Sequence, residues 1–278
     1  MLNLIEQLNE TVSYIKTIYP YTPDAGIVLG SGLGDFAKEI SINAEIEYKN
    51  IPHFPVSTVE GHKGKLIFGE LEGKRVVAMG GRFHFYEGYS AREVTFPIRV
   101  MHRLGIKTLF LSNAAGSVNP DYKVGDLMII RDHISFATEN PLMGKNYDEL
   151  GPRFPDMSEP YDKGLIKKAK TFAKELRIEI HEGVYFVVTG PTFETRAEYK
   201  MIHILGGDVV GMSTVQENIV AVHMGLPVFA VSVVTDIGIR DDDNVITHEE
   251  VLEAARHAEP KLAALFKKMI ASIGTAEQ

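Results

Sequence analysis

The sequence predicts an α/β fold: a single domain over 1–278, with a central mixed β-sheet flanked by helices. Three observations carry that reading. Short β-branched and aliphatic runs alternate with longer segments of helical apolar spacing along the whole chain. Several of those runs end directly in glycine, small or polar residues, which is where open α/β sheets carry their sites. No repeat, low-complexity tract or linker breaks the 278 residues, a length that suits one large α/β domain.

The elements follow in order. Leu4, Ile5, Leu8, Val12, Ile15 and Ile18 recur at helical spacing with acidic residues between them, so 1–18 is an amphipathic helix, ended by Pro20 and Pro23. Residues 26–29 form a short buried strand. It runs into Gly30-Ser31-Gly32-Leu33-Gly34-Asp35 and then a segment that reads as a helix. Residues 65–79 form a hairpin turning at Glu72-Gly73. A helix is expected at 91–104 and a buried strand at 108–111, which opens into a loop of small residues, 112–117. Another strand covers 125–130, and 140–162 is irregular, with Gly144, Gly151, Pro152, Pro155 and Pro160. A stretch of that length is usually functional or an interface. Then come a helix at 165–176, a strand at 184–188, a turn at 189–195 and a helix at 196–205. A short strand (209–210), the turn Gly211-Met212-Ser213-Thr214 and a helix at 217–224 lead to the nearly all-aliphatic run 228–234, a central strand buried on both faces. The tract Asp241-Asp242-Asp243 reads as a solvated loop. Thr247 to Glu250 matches a capping box opening a last helix that reaches about residue 270.

Composition removes several classes of function. Hydrophobic content of 45% and charged content of 24% are ordinary for a globular protein. A net charge of −8 argues against a general nucleic-acid or anionic-membrane surface. With no cysteine there are no disulfides, thiol nucleophiles or cysteine-ligated metals. The first helix lacks the basic start and continuous apolar core of a signal peptide, and no run approaches the roughly 20 apolar residues of a membrane span. The cytoplasm is the expected location.

The most chemically pointed stretch is Gly80-Gly81-Arg82-Phe83-His84-Phe85-Tyr86-Glu87-Gly88-Tyr89, which follows the strand at 76–79. Strict alternation would send Arg82, His84 and Tyr86 to one face and Phe83, Phe85 and Glu87 to the other. A guanidinium, an imidazole and a phenol in a row suit an oxyanion beside a hydroxylated carbon, with Arg binding the oxyanion bidentately. The turn at 30–35 offers a second anion-binding geometry from backbone N–H groups and the Ser31 hydroxyl. A dinucleotide fingerprint would need glycine at position 35, where this chain has Asp35.

Eight segments, in this order, resemble the trimeric type of purine nucleoside phosphorylase. They are Gly30-Ser31-Gly32-Leu33-Gly34, Gly61-His62-Lys63-Gly64, the Gly81 to Tyr89 strip, Asn113-Ala114-Ala115-Gly116, Arg153-Phe154-Pro155, Gly190-Pro191-Thr192-Phe193-Glu194-Thr195, Gly211-Met212-Ser213-Thr214-Val215 and His248-Glu249-Glu250. The resemblance spans essentially the whole chain. It implies phosphorolysis of purine ribo- and deoxyribonucleosides by inorganic phosphate, with no metal and no organic cofactor, in a homotrimer. It further implies that Ser31, Arg82, His84, Ser213 and the Ala114 backbone bind phosphate, that His62 closes over it, and that Glu87 orients His84. Tyr86 would meet a ribose hydroxyl, Met212 the sugar, His248 the 5′-hydroxyl and Phe193 the base. Phe154 would come from a neighbouring subunit. Glu194 would accept from purine N1–H, and Asp236 would bond N7 and the 6-substituent, which makes His84, Glu194 and Asp236 the expected catalytic groups.

Two signals oppose each other. Members of the family that take inosine and guanosine carry Asn where this chain has Asp236, whereas the related methylthioadenosine phosphorylases carry Asp but lack the Glu at 194. A carboxylate cannot donate to N7 unless protonated, and burial is expected to raise the Asp236 pKa toward that state. The reading is 6-oxopurines as main substrates with an adenosine activity alongside; the alternative is a methylthioadenosine- or adenosine-preferring enzyme. Gln216-Glu217-Asn218 also departs from the family's usual Pro-Glu-Val and is expected to act behind the site. A rival from another class is a serine hydrolase using Ser213, Asp236 and His248, which fall in the chain order of α/β-hydrolases. The segment around Ser213 lacks the second glycine of a nucleophile elbow, and that reading leaves the Arg82 row unused.

Overall fold

A computed structural model describes residues 2–56, 64–136, 138–239 and 246–274. Helix α1 (Leu4–Ile18) opens with an Asn3/Glu6 capping box and buries Leu8, Thr11 and Ile15, the face that the apolar spacing marks. Strand β1 (Ala25–Val28) is buried throughout. The next segment is a short 3₁₀ helix, Gly34–Glu39, followed by β2 (Ser41–Glu47), a strand missing from the sequence reading although Ile42, Ala44 and Ile46 alternate with polar residues. Strands β3 (Lys65–Leu71) and β4 (Lys74–Met79) form the expected hairpin. Its turn has positive φ at both Glu72 and Gly73, the geometry that matches strand twist.

Helix α2 (Ala91–Leu104) starts at a Ser90/Glu93 capping box. Strand β5 (Thr108–Ser117) continues straight through residues 112–117, which correct to strand from the expected loop. Their small side chains are there because β5 pairs with β1, β8 and β9, leaving little room on either face. Strand β6 (Leu127–Ile134), helix α3 (Lys163–Leu176) and strand β7 (Ile180–Val187) follow; β6 runs four residues beyond its expected end, and β7 begins four before its expected start. Helix α4 (Arg196–Ile204), strand β8 (Val209–Gly211), helix α5 (Val215–His223), strand β9 (Val228–Ile237) and helix α6 (His248–Ala271) complete the order. The capping box expected at the start of α6 is present, with the Glu250 N–H donating to the Thr247 hydroxyl and the Thr247 N–H to Glu250. The acidic tract 241–243 lies outside the described residues.

The strands form one mixed sheet in the order β2-β3-β4-β1-β5-β8-β7-β6-β9, and β9 pairs again with β5. The half from β5 to β9 therefore closes on itself like a small barrel, while β1 to β4 extend as an open flank. Strands β1, β4, β5 and β9 run parallel to their partners β1–β4, β1–β5 and β5–β9, so their C-terminal ends meet at one edge. That edge carries the site.

Candidate active site

A cleft opens there, lined by residues from the ends of several strands. Ser31 reaches it from the turn after β1, Arg82, His84 and Tyr86 from the strip after β4, and Ala114 from β5. Met212 and Ser213 follow β8, Asp236 closes β9, Phe193 and Glu194 precede α4, and His248 begins α6. The turn bearing Ser31 is tied to α6 from behind, since the Phe36 N–H donates to the buried carboxylate of Glu259 at 2.7 Å.

Arg82 is 1% exposed, and its bidentate edge is already occupied. Nε and Nη2 donate to the two carboxylate oxygens of Glu217 at 3.1 and 2.8 Å, while Nη1 donates to the Ser112 carbonyl at 2.7 Å and the Ser213 hydroxyl at 3.1 Å. The expected fork onto an oxyanion is thus corrected: the fork holds Glu217, and Nη1 is the edge that shares the cleft with Ser213. Glu217 belongs to the first turn of α5, in the segment expected to act behind the site. Its sequence signal is an acid in the first helical turn after the Ser213 turn; nothing in sequence spacing ties it to Arg82.

Alternation along the strip holds through His84 and then fails. Phe85–Glu87 is a 3₁₀ turn, which swings Glu87 back under His84 instead of away from it. Glu87 Oε1 lies 3.2 Å from His84 Nδ1 and also accepts the His84 backbone N–H at 2.8 Å. A carboxylate only accepts, so Nδ1 carries the proton and Nε2 is the acceptor nitrogen of the neutral ring. Burial lowers the His84 pKa, with Glu87 opposing and the Arg82 charge adding to the fall, so the neutral form prevails at neutral pH. Tyr86 stacks on that ring at 4.6 Å, and burial together with Glu87 pushes its phenol up to about 12.

Ser213 is set by a tight reversal. The Val215 N–H donates to the Ser213 carbonyl at 2.8 Å across Thr214, whose φ of 73° and ψ of −47° make a γ-turn that non-glycine residues rarely adopt. Asn113, on β5, donates to the Thr214 hydroxyl at 2.9 Å and so braces the strained residue. The strain sits on Thr214 and not on Ser213. The Ser213 hydroxyl is engaged by Arg82 and Thr214, with no hydrogen bond to His248 among the described residues. A serine nucleophile would need the reverse arrangement.

At the other end of the cleft Glu194 and Asp236 face each other electrostatically. Burial raises the Glu194 pKa, hydrogen bonds from its own backbone and Tyr199 oppose, and the Asp236 charge raises it further. Asp236 is 9% exposed, and Thr235 donates to its Oδ1 at 3.1 Å. Gly116 makes room for it: a Cβ there would stand 2.7 Å from Asp236 Oδ2. The cleft therefore holds a cation with two hydroxyls at one end and two carboxyl groups at the other.

Two expected residues are not brought together with these. Phe154 is 88% exposed and lines a separate recess with His133 and Arg153. His62 lies outside the described residues.

Comparison with known proteins gives the same picture. Residues 24–271 match the Phosphorylase superfamily. The chain is 48% identical over 266 residues to purine nucleoside phosphorylase 1 of Bacillus subtilis (strain 168), covering 96% of this chain and 98% of that protein. Among solved structures, Schistosoma mansoni purine nucleoside phosphorylase in complex with adenosine superimposes with a TM-score of 0.93 at 42% identity, covering all of both chains. The same organism's enzyme in complex with inosine gives 0.92 at 41% identity over 99% of each.

Proposed function

The chain belongs to the phosphorylase superfamily as a purine nucleoside phosphorylase, and we propose that it uses 6-oxopurine nucleosides as main substrates and adenosine alongside them. In the reaction, a phosphate oxygen forms a bond to C1′ as the C1′–N9 bond breaks, and the electron pair leaves with the purine. The enzyme must hold an anion beneath the sugar and meet negative charge growing on the base. The observation that carries the reading is the polarity of the one cleft, Arg82 Nη1 with Ser213 at one end and Glu194 with Asp236 at the other.

Ser31, Ser213, Arg82, His84 and the Ala114 backbone then hold phosphate. The lone pair on His84 Nε2 suits a protonated phosphate oxygen, which gives the neutral imidazole a reason. Tyr86, Met212 and His248 serve the ribose, and Phe193 the base. No metal or organic cofactor enters, because the attacking group is phosphate itself. Exposed Phe154 completes the base site of a neighbouring copy in a homotrimer, and the cytoplasm is its place of work.

Base choice rests on the paired carboxyls. Ionised Glu194 accepts from the N1–H of a 6-oxopurine; protonated Glu194 donates to the bare N1 of adenine. Protonated Asp236 donates to N7 as charge builds on the base, and while ionised its charge raises Glu194 and makes the protonated form of Glu194 easier to reach. Relatives bound to inosine and to adenosine support a shared site for the two. The adenosine-to-inosine ratio of kcat/KM should rise as pH falls. Asp236→Asn removes the charge that raises Glu194 and replaces one of two acceptor oxygens by a donor NH₂, so that ratio should drop roughly tenfold, the size of one hydrogen bond. A ratio unmoved by pH and by the substitution overturns the assignment.

A further inference from the structure

A second, smaller cavity lies between α2, the end of α5 and the segment 141–150. Arg92, Arg99, Lys145 and His223 line it, and no aspartate or glutamate does among the described residues. Arg99 is 5% exposed, and its Nη1 has no hydrogen-bond partner among the described residues. The contrast is with Arg82, the other deeply buried arginine among the described residues, whose charge Glu217 balances at 2.8 Å.

A guanidinium stays protonated in proteins, and burying an unbalanced charge is strongly unfavourable. Here the surroundings add to the cost. Burial and the Arg92 charge lower Arg99 to about 10, still cationic at neutral pH, and the Arg99 charge helps to depress the pKa of His223 after burial has done most of it. Arg92 and Lys145 stand exposed at the mouth, so a ligand can reach the buried group between them. In an otherwise acidic protein, cations gathered without a carboxylate make a site for an anion.

We propose that this cavity binds one small oxyanion, phosphate or sulfate, on Arg99, with Arg92 and Lys145 completing its coordination. The space is much smaller than the main cleft, which favours a single tetrahedral ion over a nucleoside. The bound ion joins α2, α5 and the 141–150 segment. Because the first turn of α5 carries Glu217, its occupancy stiffens the helix that holds Arg82.

Equilibrium dialysis of the full chain with labelled inorganic phosphate tests this. Wild type should bind two phosphates per chain, and Arg99→Met, which keeps an apolar stem of similar length, only one. Arg99→Met should still phosphorolyse inosine with a phosphate KM within about twofold of wild type, which separates this site from the catalytic one. In phosphate- and sulfate-free buffer Arg99→Met should melt at or above the wild-type temperature, and it should lose part of the rise that added sulfate gives wild type. Lys145→Ala, a surface change that folds regardless, should weaken the second phosphate several-fold. One phosphate per wild-type chain overturns the proposal, as does a second phosphate retained in Arg99→Met or unaffected by Lys145→Ala. Dissociation of the oligomer in Arg99→Met, with phosphate stoichiometry unchanged, would assign the cavity to a carboxylate of a second copy and likewise overturn it.

Discussion

Glu217→Gln is the most informative single change, because it separates the charge on Arg82 from its position. In the native structure two charge-assisted hydrogen bonds, 3.1 and 2.8 Å long, join Arg82 to a carboxylate that is itself buried. The carboxamide keeps one acceptor oxygen but turns an NH₂ toward an arginine N–H, so one bond weakens and the other becomes a donor–donor contact. Leaving a buried cation uncompensated costs about 3–5 kcal/mol, and the one surviving hydrogen bond holds the loss near 3 kcal/mol. For a chain of this size each kcal/mol moves Tm by about 2–4 °C, so Tm should fall by roughly 6–12 °C in phosphate-free buffer. Phosphate then supplies the anion that the carboxylate no longer does. The phosphate-induced rise in Tm should therefore be larger in the variant than in wild type, and the gap between them should narrow at saturation. Differential scanning calorimetry across a phosphate titration reads both effects. Equal phosphate-induced rises, or a Tm within about 1 °C of wild type, would refute the reasoning that Glu217 is the counter-charge of a phosphate-facing Arg82.

Other consequences follow from the same geometry. Gly116→Ala puts a Cβ within 2.7 Å of Asp236 Oδ2, so nucleoside KM should rise roughly tenfold while phosphate KM stays put; equal rises in the two would show that Asp236 does not serve the base end. Phe154→Ala should leave the fold of its own chain intact, since the ring is exposed there, yet raise nucleoside KM; wild-type kinetics would remove Phe154 from the neighbour's site. Glu194 has a folded pKa raised above its unfolded value, so its contribution is fully present below the unfolded value of about 4.5 and is lost as pH rises through the folded one. Tm should thus decline less between about pH 4 and 7 in Glu194→Gln than in wild type, and parallel profiles would contradict that.

The local elements were legible because their causes are local. Apolar spacing marks the buried face of α1, the Thr247/Glu250 pair opens α6, and the aliphatic run at 228–234 is the core of β9. The order of the motifs points to phosphorolysis, and the polar residues cluster at strand ends because parallel strands deliver them to one edge. Strand β2 is announced only weakly: Ile42, Ala44 and Ile46 alternate with polar residues at strand period, but of the seven residues only Ile46 is buried, and pairing with β3 is what holds them as a strand.

What sequence order could not convey is which groups spend their charge on one another. Arg82 and Glu217 are 135 positions apart, and their pairing depends on α5 packing against α2 and β9, which brings its first turn to the strip after β4. Glu87 serves His84 because a 3₁₀ turn replaces the strand that alternation predicts. The γ-turn at Thr214 and the space above Gly116 exist only once β5, β8 and β9 are paired. Residue types name the chemistry available; burial and distance decide which cation remains for the ligand, which imidazole is neutral and which carboxyl holds its proton, because electrostatic energies depend on separation and solvent and not on sequence position.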